Sequence, residues 1–96
     1  MKIEIKQDSN NSFEVKIFDN VITEHRIFLS DEYYEKLTKN KIQKKKLIKL
    51  SISYLLEREK NTEILSNFEL EEISNYFSDY ISEVQKWCKI ESKKNN

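Results

Sequence analysis

Apolar and polar side chains alternate over most of the first thirty residues, which is the two-residue period of a half-buried β-strand. Ile3 and Ile5 begin the pattern, and residues 13–17 continue it after a stretch rich in asparagine and serine. A short turn at 19–20 leads into a β-branched and aromatic stretch at 21–29. Two tight turns in succession predict an antiparallel meander of three strands.

At Ser30 the period changes to that of an α-helix. A capping serine followed by Asp31 and Glu32 is typical of a helix start, and it predicts a short helix to about Thr38. A second helix is predicted by an apolar stripe at helical spacing. That stripe consists of Leu47, Ile48, Ser51, Ile52, Leu55 and Leu56.

A third helical region follows, with Asn67 as its predicted cap and several glutamates in its opening turn. The pair Ser78-Asp79 would suit the end of one helix and the start of another, so residues 67–90 form either one helix or two. Tyr76 and Tyr80 are expected to be partly exposed. The apolar stripe of this region consists of Leu70, Ile73, Phe77, Tyr80, Ile81, Val84 and Trp87.

This order of elements predicts an α+β fold. A three-stranded antiparallel meander at the N-terminus would be followed by three helices packed on one face of the sheet. We expect one domain over residues 1–90 and a frayed tail over residues 91–96.

The amino-acid composition indicates the cellular compartment more clearly than it indicates an activity. The chain contains no glycine or proline and abundant lysine, isoleucine and asparagine, which is typical of an AT-rich genome. No apolar run approaches the roughly 20 residues of a membrane span, and the charged start does not resemble a signal peptide. Because Cys88 is the only cysteine, we expect a reducing cytoplasm. Because no apolar run is long enough to span a bilayer, we expect no membrane association.

The chain offers few groups for catalysis or metal binding. One histidine and one cysteine cannot supply the converging ligands of a transition-metal site, and no glycine is present to form a phosphate cradle. We expect His25 to be a hydrogen-bonded structural residue and Cys88 to be a buried, inert thiol. The sequence therefore predicts no enzyme, no cofactor and no metal.

The net charge is zero, but the charges are segregated. Seven lysines and no acid lie between Lys36 and Lys49, whereas residues 61–85 contain six acids and no base. First-turn lysines oppose the helix dipole at about 0.3–1 kcal/mol each, so the cluster is a candidate anion- or partner-binding patch. This lysine patch consists of Lys41, Lys44, Lys45, Lys46 and Lys49. Its partner would be an acidic protein surface, such as another copy in a homodimer, or nucleic acid.

The order strand, short helix, helix from "HRIFLSDEYYEKL" through "KKKLIKLSISYLLERE" resembles ribbon-helix-helix transcription factors and antitoxins over about residues 23–58. The resemblance implies a dimer in which this strand pairs with its copy in the major groove of DNA. It also implies that Glu24 and either Arg26 or His25 contact bases, while residues 44–46 contact phosphates.

The pattern "FLSDEYYEKLT" and the residues after it also resemble small uncharacterised bacterial α+β proteins, which imply no activity. The leading hypothesis is thus a small cytoplasmic, non-catalytic protein-interaction or accessory domain with an unknown protein partner. The alternative is a ribbon-helix-helix-like nucleic-acid-binding regulator or antitoxin.

Overall fold

The computed structural model describes residues 1–94 of the chain. Its strands are β1 (Lys2–Ser9), β2 (Ser12–Phe18), β3 (Ile22–Phe28) and β4 (Asn67–Glu69). Its α-helices are α1 (Asp31–Thr38), α2 (Lys44–Leu56), α3 (Ile73–Tyr76) and α4 (Tyr80–Lys94). Two short 3-10 turns, Asn61–Glu63 and Leu70–Glu72, precede and follow β4.

The four strands form one mixed sheet in the order β1-β2-β3-β4. The first three are antiparallel neighbours, with Ile5 opposite Val15 and Val15 opposite His25. The α+β class and the N-terminal meander are therefore confirmed.

The fourth strand corrects the prediction that Asn67 caps a helix. Asn67 instead begins β4, which pairs in parallel with β3 and places Phe68 opposite Ile27. The connection through α1 and α2 makes this parallel pairing possible, because parallel neighbours need a crossover of a dozen or more residues. A strand of three residues is too short to show an alternating pattern in the sequence.

The core lies between the helices and one face of the sheet. Val15, Ile17 and Ile27 point to this face, and their alternating neighbours point to solvent. Ile48 and Ile52 of α2 are fully buried in the same apolar cluster, which also includes Val84 of α4. Every member of the predicted α2 stripe is buried except Leu56, which is half-buried.

The third helical region contains two helices, since α3 ends at Tyr76 and α4 begins at Tyr80. The break falls at the predicted Ser78-Asp79 position, where Asp79 accepts a hydrogen bond from the hydroxyl of Tyr54. The three-helix prediction is accordingly corrected to four helices within residues 1–94.

The prediction that Tyr76 and Tyr80 are both partly exposed is wrong for Tyr80. Tyr80 is fully buried, and its hydroxyl is 2.6 Å from the hydroxyl of Ser51 on α2. Tyr76 is 69% exposed. Ile81, assigned to the apolar stripe from the sequence, is 46% exposed because it lies at the margin of the buried side of α4.

The C-terminal helix is longer than the sequence predicted. Helix α4 continues to Lys94, past the predicted domain end at residue 90, and residues 95–96 of the predicted tail lie outside the described residues. No helix within residues 1–94 is both long enough and apolar enough to cross a membrane.

Helix α1 begins and ends as its local chemistry requires. The hydroxyl of Ser30 accepts a hydrogen bond from the backbone N–H of Tyr33 at 3.1 Å, which confirms the predicted cap. The helix ends at Lys39 and Asn40, whose φ angles of 51° and 62° lie in the left-handed region. A chain without glycine must use other residues there, at a conformational cost.

Replacing Lys39 by glycine should therefore stabilise the protein by about 0.5–1 kcal/mol, because glycine adopts a left-handed backbone without a Cβ penalty. Urea unfolding of the variant measures this change. The matched control Lys36→Gly, inside α1, should destabilise the protein by a similar amount. A loss of stability in both variants would contradict the assignment of Lys39 as the helix C-cap.

Candidate functional site

An open apolar groove of about 390 Å³ lies between the end of α2, the segment around β4, and α3. Buried side chains form its floor, and the exposed side chains of Leu65 and Tyr76 flank it. Leu65 is 49% exposed, although monomeric proteins usually cover large apolar side chains that lie beside an apolar cleft. The floor residues are Leu55, Ile64, Phe68 and Ile73.

A buried polar network holds the segment that forms the groove wall. His25 lies 4% exposed on β3, and its Nδ1 is 2.8 Å from the carbonyl oxygen of Leu65. Because a carbonyl only accepts, Nδ1 carries the proton and Nε2 accepts from the hydroxyl of Thr23, also at 2.8 Å. The amide of Asn61 donates to Thr23 and to the carbonyl oxygen of Val21.

Three glutamates form an acidic rim around the groove: Glu59, Glu63 and Glu72. Two of them each accept a hydrogen bond from a backbone N–H at the start of a 3-10 turn. The carboxylate of Glu63 accepts the backbone N–H of Lys60 at 2.8 Å, and that of Glu72 accepts the backbone N–H of Glu69 at 2.7 Å. The side chains are thus held in place while one carboxylate oxygen of each remains available to another donor.

No lysine or arginine within residues 1–94 pairs with the acidic rim, although Arg58 and Lys60 line an adjacent cleft together with Glu59 and Glu63. No lysine or arginine lines the groove, and within residues 1–94 none of the three rim glutamates forms an ion pair. Burial first, and the charge of Glu63 second, raise the pKa of Glu59 above its ordinary value. The rim is consequently a local concentration of negative charge that no ion pair within residues 1–94 compensates.

The structure divides the predicted lysine patch into two groups. Lys44 is largely enclosed: its ammonium is 2.6 Å from a carboxylate oxygen of Asp31, donates to Asn10, and lies 5.4 Å from the ring centre of Tyr34. Lys46 pairs with Glu91 of α4. These two lysines connect α2 to neighbouring elements, so they contribute to the fold.

The remaining patch residues, Lys41, Lys45 and Lys49, are exposed. Among residues 1–94, none of them forms an ion pair. Gln43 precedes α2 without a side-chain hydrogen bond to the helix. Three of the five patch lysines are thus free of ion pairs within residues 1–94, and binding of an anion or partner by the patch stays a prediction.

The side chains that the ribbon-helix-helix resemblance assigns to base contacts are already engaged. Arg26 pairs with Asp8 and Glu14, and Lys16 lies 3.7 Å from Glu24. All lie on the outer face of the sheet, where opposite charges alternate across the strands. This face neutralises itself.

The strand itself is also engaged along its length. The last three residues of β3 pair with β4, and its whole length pairs with β2. The backbone N–H of Arg26 donates to the carbonyl of Ser66 at 2.7 Å, so this part of β3 has no free edge for a second copy.

The two groups considered for catalysis lie inside the structure. His25 uses both ring nitrogens in the network described above. Cys88 is buried, and burial raises the pKa of its thiol while the charge of Lys41 partly opposes that rise. Within residues 1–94, no group of three or more histidine, cysteine, aspartate or glutamate side chains is placed to hold a metal ion.

No protein-family model, no curated protein and no solved structure matches this chain. Sequence reasoning found the acid-rich composition of residues 61–85 but not the groove. Nothing in the local sequence indicates that the segment around Leu65 returns to β3.

His25→Phe should destabilise the protein by about 1–3 kcal/mol, because Leu65 loses its hydrogen-bond donor and the Thr23 hydroxyl loses its acceptor. Relative to the wild type, amide hydrogen exchange should become faster in residues 61–69 and change less in β1 and β2. The control Glu24→Gln, on the outer face of the same strand, should change little. Uniformly faster exchange throughout the sheet would show that His25 has no specific role in holding this segment.

Lys44→Gln should lower the thermal unfolding midpoint at neutral pH, whereas Lys45→Gln should leave it unchanged or raise it by removing a charge that opposes the helix dipole. The hydrogen bond from Lys44 holds the pKa of Asp31 below its usual value. The stabilisation is therefore present above the unfolded-state pKa and is lost as the pH falls through the folded-state pKa. Thermal melts of both variants across acidic pH test this, and equal effects at neutral pH would contradict it.

Proposed function

We propose that this protein is a small, non-catalytic interaction or accessory domain, and that the groove flanked by Leu65 and Tyr76 is its docking surface. The observation that carries the proposal is the combination of an apolar floor, two exposed apolar side chains and a rim of fixed carboxylates in one place. Apolar patches bordered by polar groups are typical of surfaces that bind other proteins.

The cytoplasm remains our proposed location, because Cys88 is the chain's only cysteine. The roles of His25 and Cys88 support a non-catalytic protein, since one residue is used by the hydrogen-bond network and the other is a buried thiol.

Nucleic-acid binding is the alternative function, and the exposed Lys41, Lys45 and Lys49 are the residues that would support it. The self-neutralised outer face of the sheet and the paired edge of β3 favour the groove instead. Salt-dependent binding of duplex DNA, lost in a Lys45→Gln and Lys49→Gln double variant, would support the alternative.

A peptide-display selection against the purified protein tests the docking surface. Peptides recovered on the wild type should bind the double variant Leu65→Ser, Tyr76→Ser more than about tenfold less tightly, because both residues contribute exposed apolar contact area. Fluorescence anisotropy of labelled peptides gives the affinities.

The matched control is Ile81→Ser, Ile90→Ser, which removes two similarly exposed apolar side chains of α4 outside the groove. This control should retain the wild-type affinity. Peptides that bind the groove variant and the wild type equally would show that the docking surface lies elsewhere.

A further inference from the structure

We infer that the groove binds a cationic amphipathic segment of another protein. Apolar side chains of that segment would cover the floor, and its lysines or arginines would pair with Glu59, Glu63 and Glu72. The inference rests on the proposed function, because it names the chemistry of the partner for the same groove.

The distribution of ion pairs is the first argument. On the outer face of the sheet, Lys16 pairs with Glu24 and Arg26 with Glu14, so those carboxylates already have counter-charges. The rim glutamates have none within residues 1–94, although they lie together around an apolar floor. Complementary charge selects partners and speeds their encounter, so an uncompensated acidic rim favours a cationic segment.

The fixed geometry of the rim is the second argument. In the free protein, Glu63 and Glu72 are each held by a hydrogen bond from one backbone N–H. Their side chains therefore lose little conformational freedom when a cation pairs with the remaining oxygen. Such preorganisation reduces the entropic cost of binding.

The lysine patch of a second copy is a poorer occupant. Its exposed lysines, Lys45 and Lys49, would supply positive charge, but Leu47 and Ile48 beside them are fully buried. The floor of the groove would then remain uncovered. Contact between two different surfaces of identical chains also tends to propagate into open assemblies unless the rotation closes.

The test uses a synthetic amphipathic helical peptide with leucines on one face and lysines on the other. Two further peptides carry glutamine or glutamate in place of every lysine. Fluorescence anisotropy with the full chain measures the affinity of each at low and high salt. The lysine peptide should bind most tightly, the glutamate peptide least, and added salt should reduce the difference.

The key variant is Glu63→Gln, Glu72→Gln, because glutamine keeps an oxygen that accepts the backbone N–H and removes the charge. It should weaken binding of the lysine peptide roughly fivefold at low salt, as expected for two exposed ion pairs. The matched control Glu32→Gln, Glu35→Gln removes two exposed carboxylates of α1 that form no ion pair within residues 1–94. It should change the affinity by less than about twofold.

Three results would overturn the inference, and they differ in what they imply for the groove. If the glutamine peptide binds as tightly as the lysine peptide and Leu65→Ser, Tyr76→Ser still abolishes binding, the groove is a docking surface for a neutral partner. If the rim variant and the α1 control weaken the lysine peptide equally, the peptide binds only as a general polycation. Failure of Leu65→Ser, Tyr76→Ser to affect any peptide would contradict the proposed function as well.

Discussion

The hydrogen bond from His25 to the carbonyl of Leu65 is the contact on which the groove depends. It joins β3 to a segment that follows α2 by several residues, and the side chains of Asn61 and Thr23 continue the same network. With this segment held against β3, Phe68 enters the core and β4 can pair in parallel with β3. Leu65, one residue after buried Ile64, then projects beside the apolar floor.

The parts of the fold that follow a regular period were predictable from the sequence. The alternation of Ile3, Ile5 and residues 13–17 located the meander, and the stripe from Leu47 to Leu55 located α2. Ser30 identified the start of α1 because a capping hydroxyl acts over only three residues.

The parts that were missed depend on contacts between residues distant in sequence. Asn67 suits a helix cap by local preference, yet pairing with Arg26 places it in β4. Tyr80 is buried because its hydroxyl meets Ser51, 29 residues earlier in the chain. The internal pairing of two patch lysines was missed for the same reason: the local sequence contains no acid, but Asp31 and Glu91 reach Lys44 and Lys46 from other helices.

The basic stretch at residues 36–49 and the acidic stretch at residues 61–85 therefore have different roles in the fold. Part of the basic stretch is used internally, whereas the rim glutamates of the acidic stretch surround an apolar groove without a counter-charge within residues 1–94. The groove is a surface where negative charge and exposed apolar area coincide. That coincidence supports a role in binding another protein.

The most direct test of this claim is to add the lysine peptide to isotopically labelled protein and to locate the residues whose amide chemical shifts change. Binding in the groove predicts changes concentrated in residues 59–77, with residues 41–49 and the outer face of the sheet unchanged. Changes centred on residues 41–49, or spread evenly over the acidic side chains of the whole surface, would contradict it.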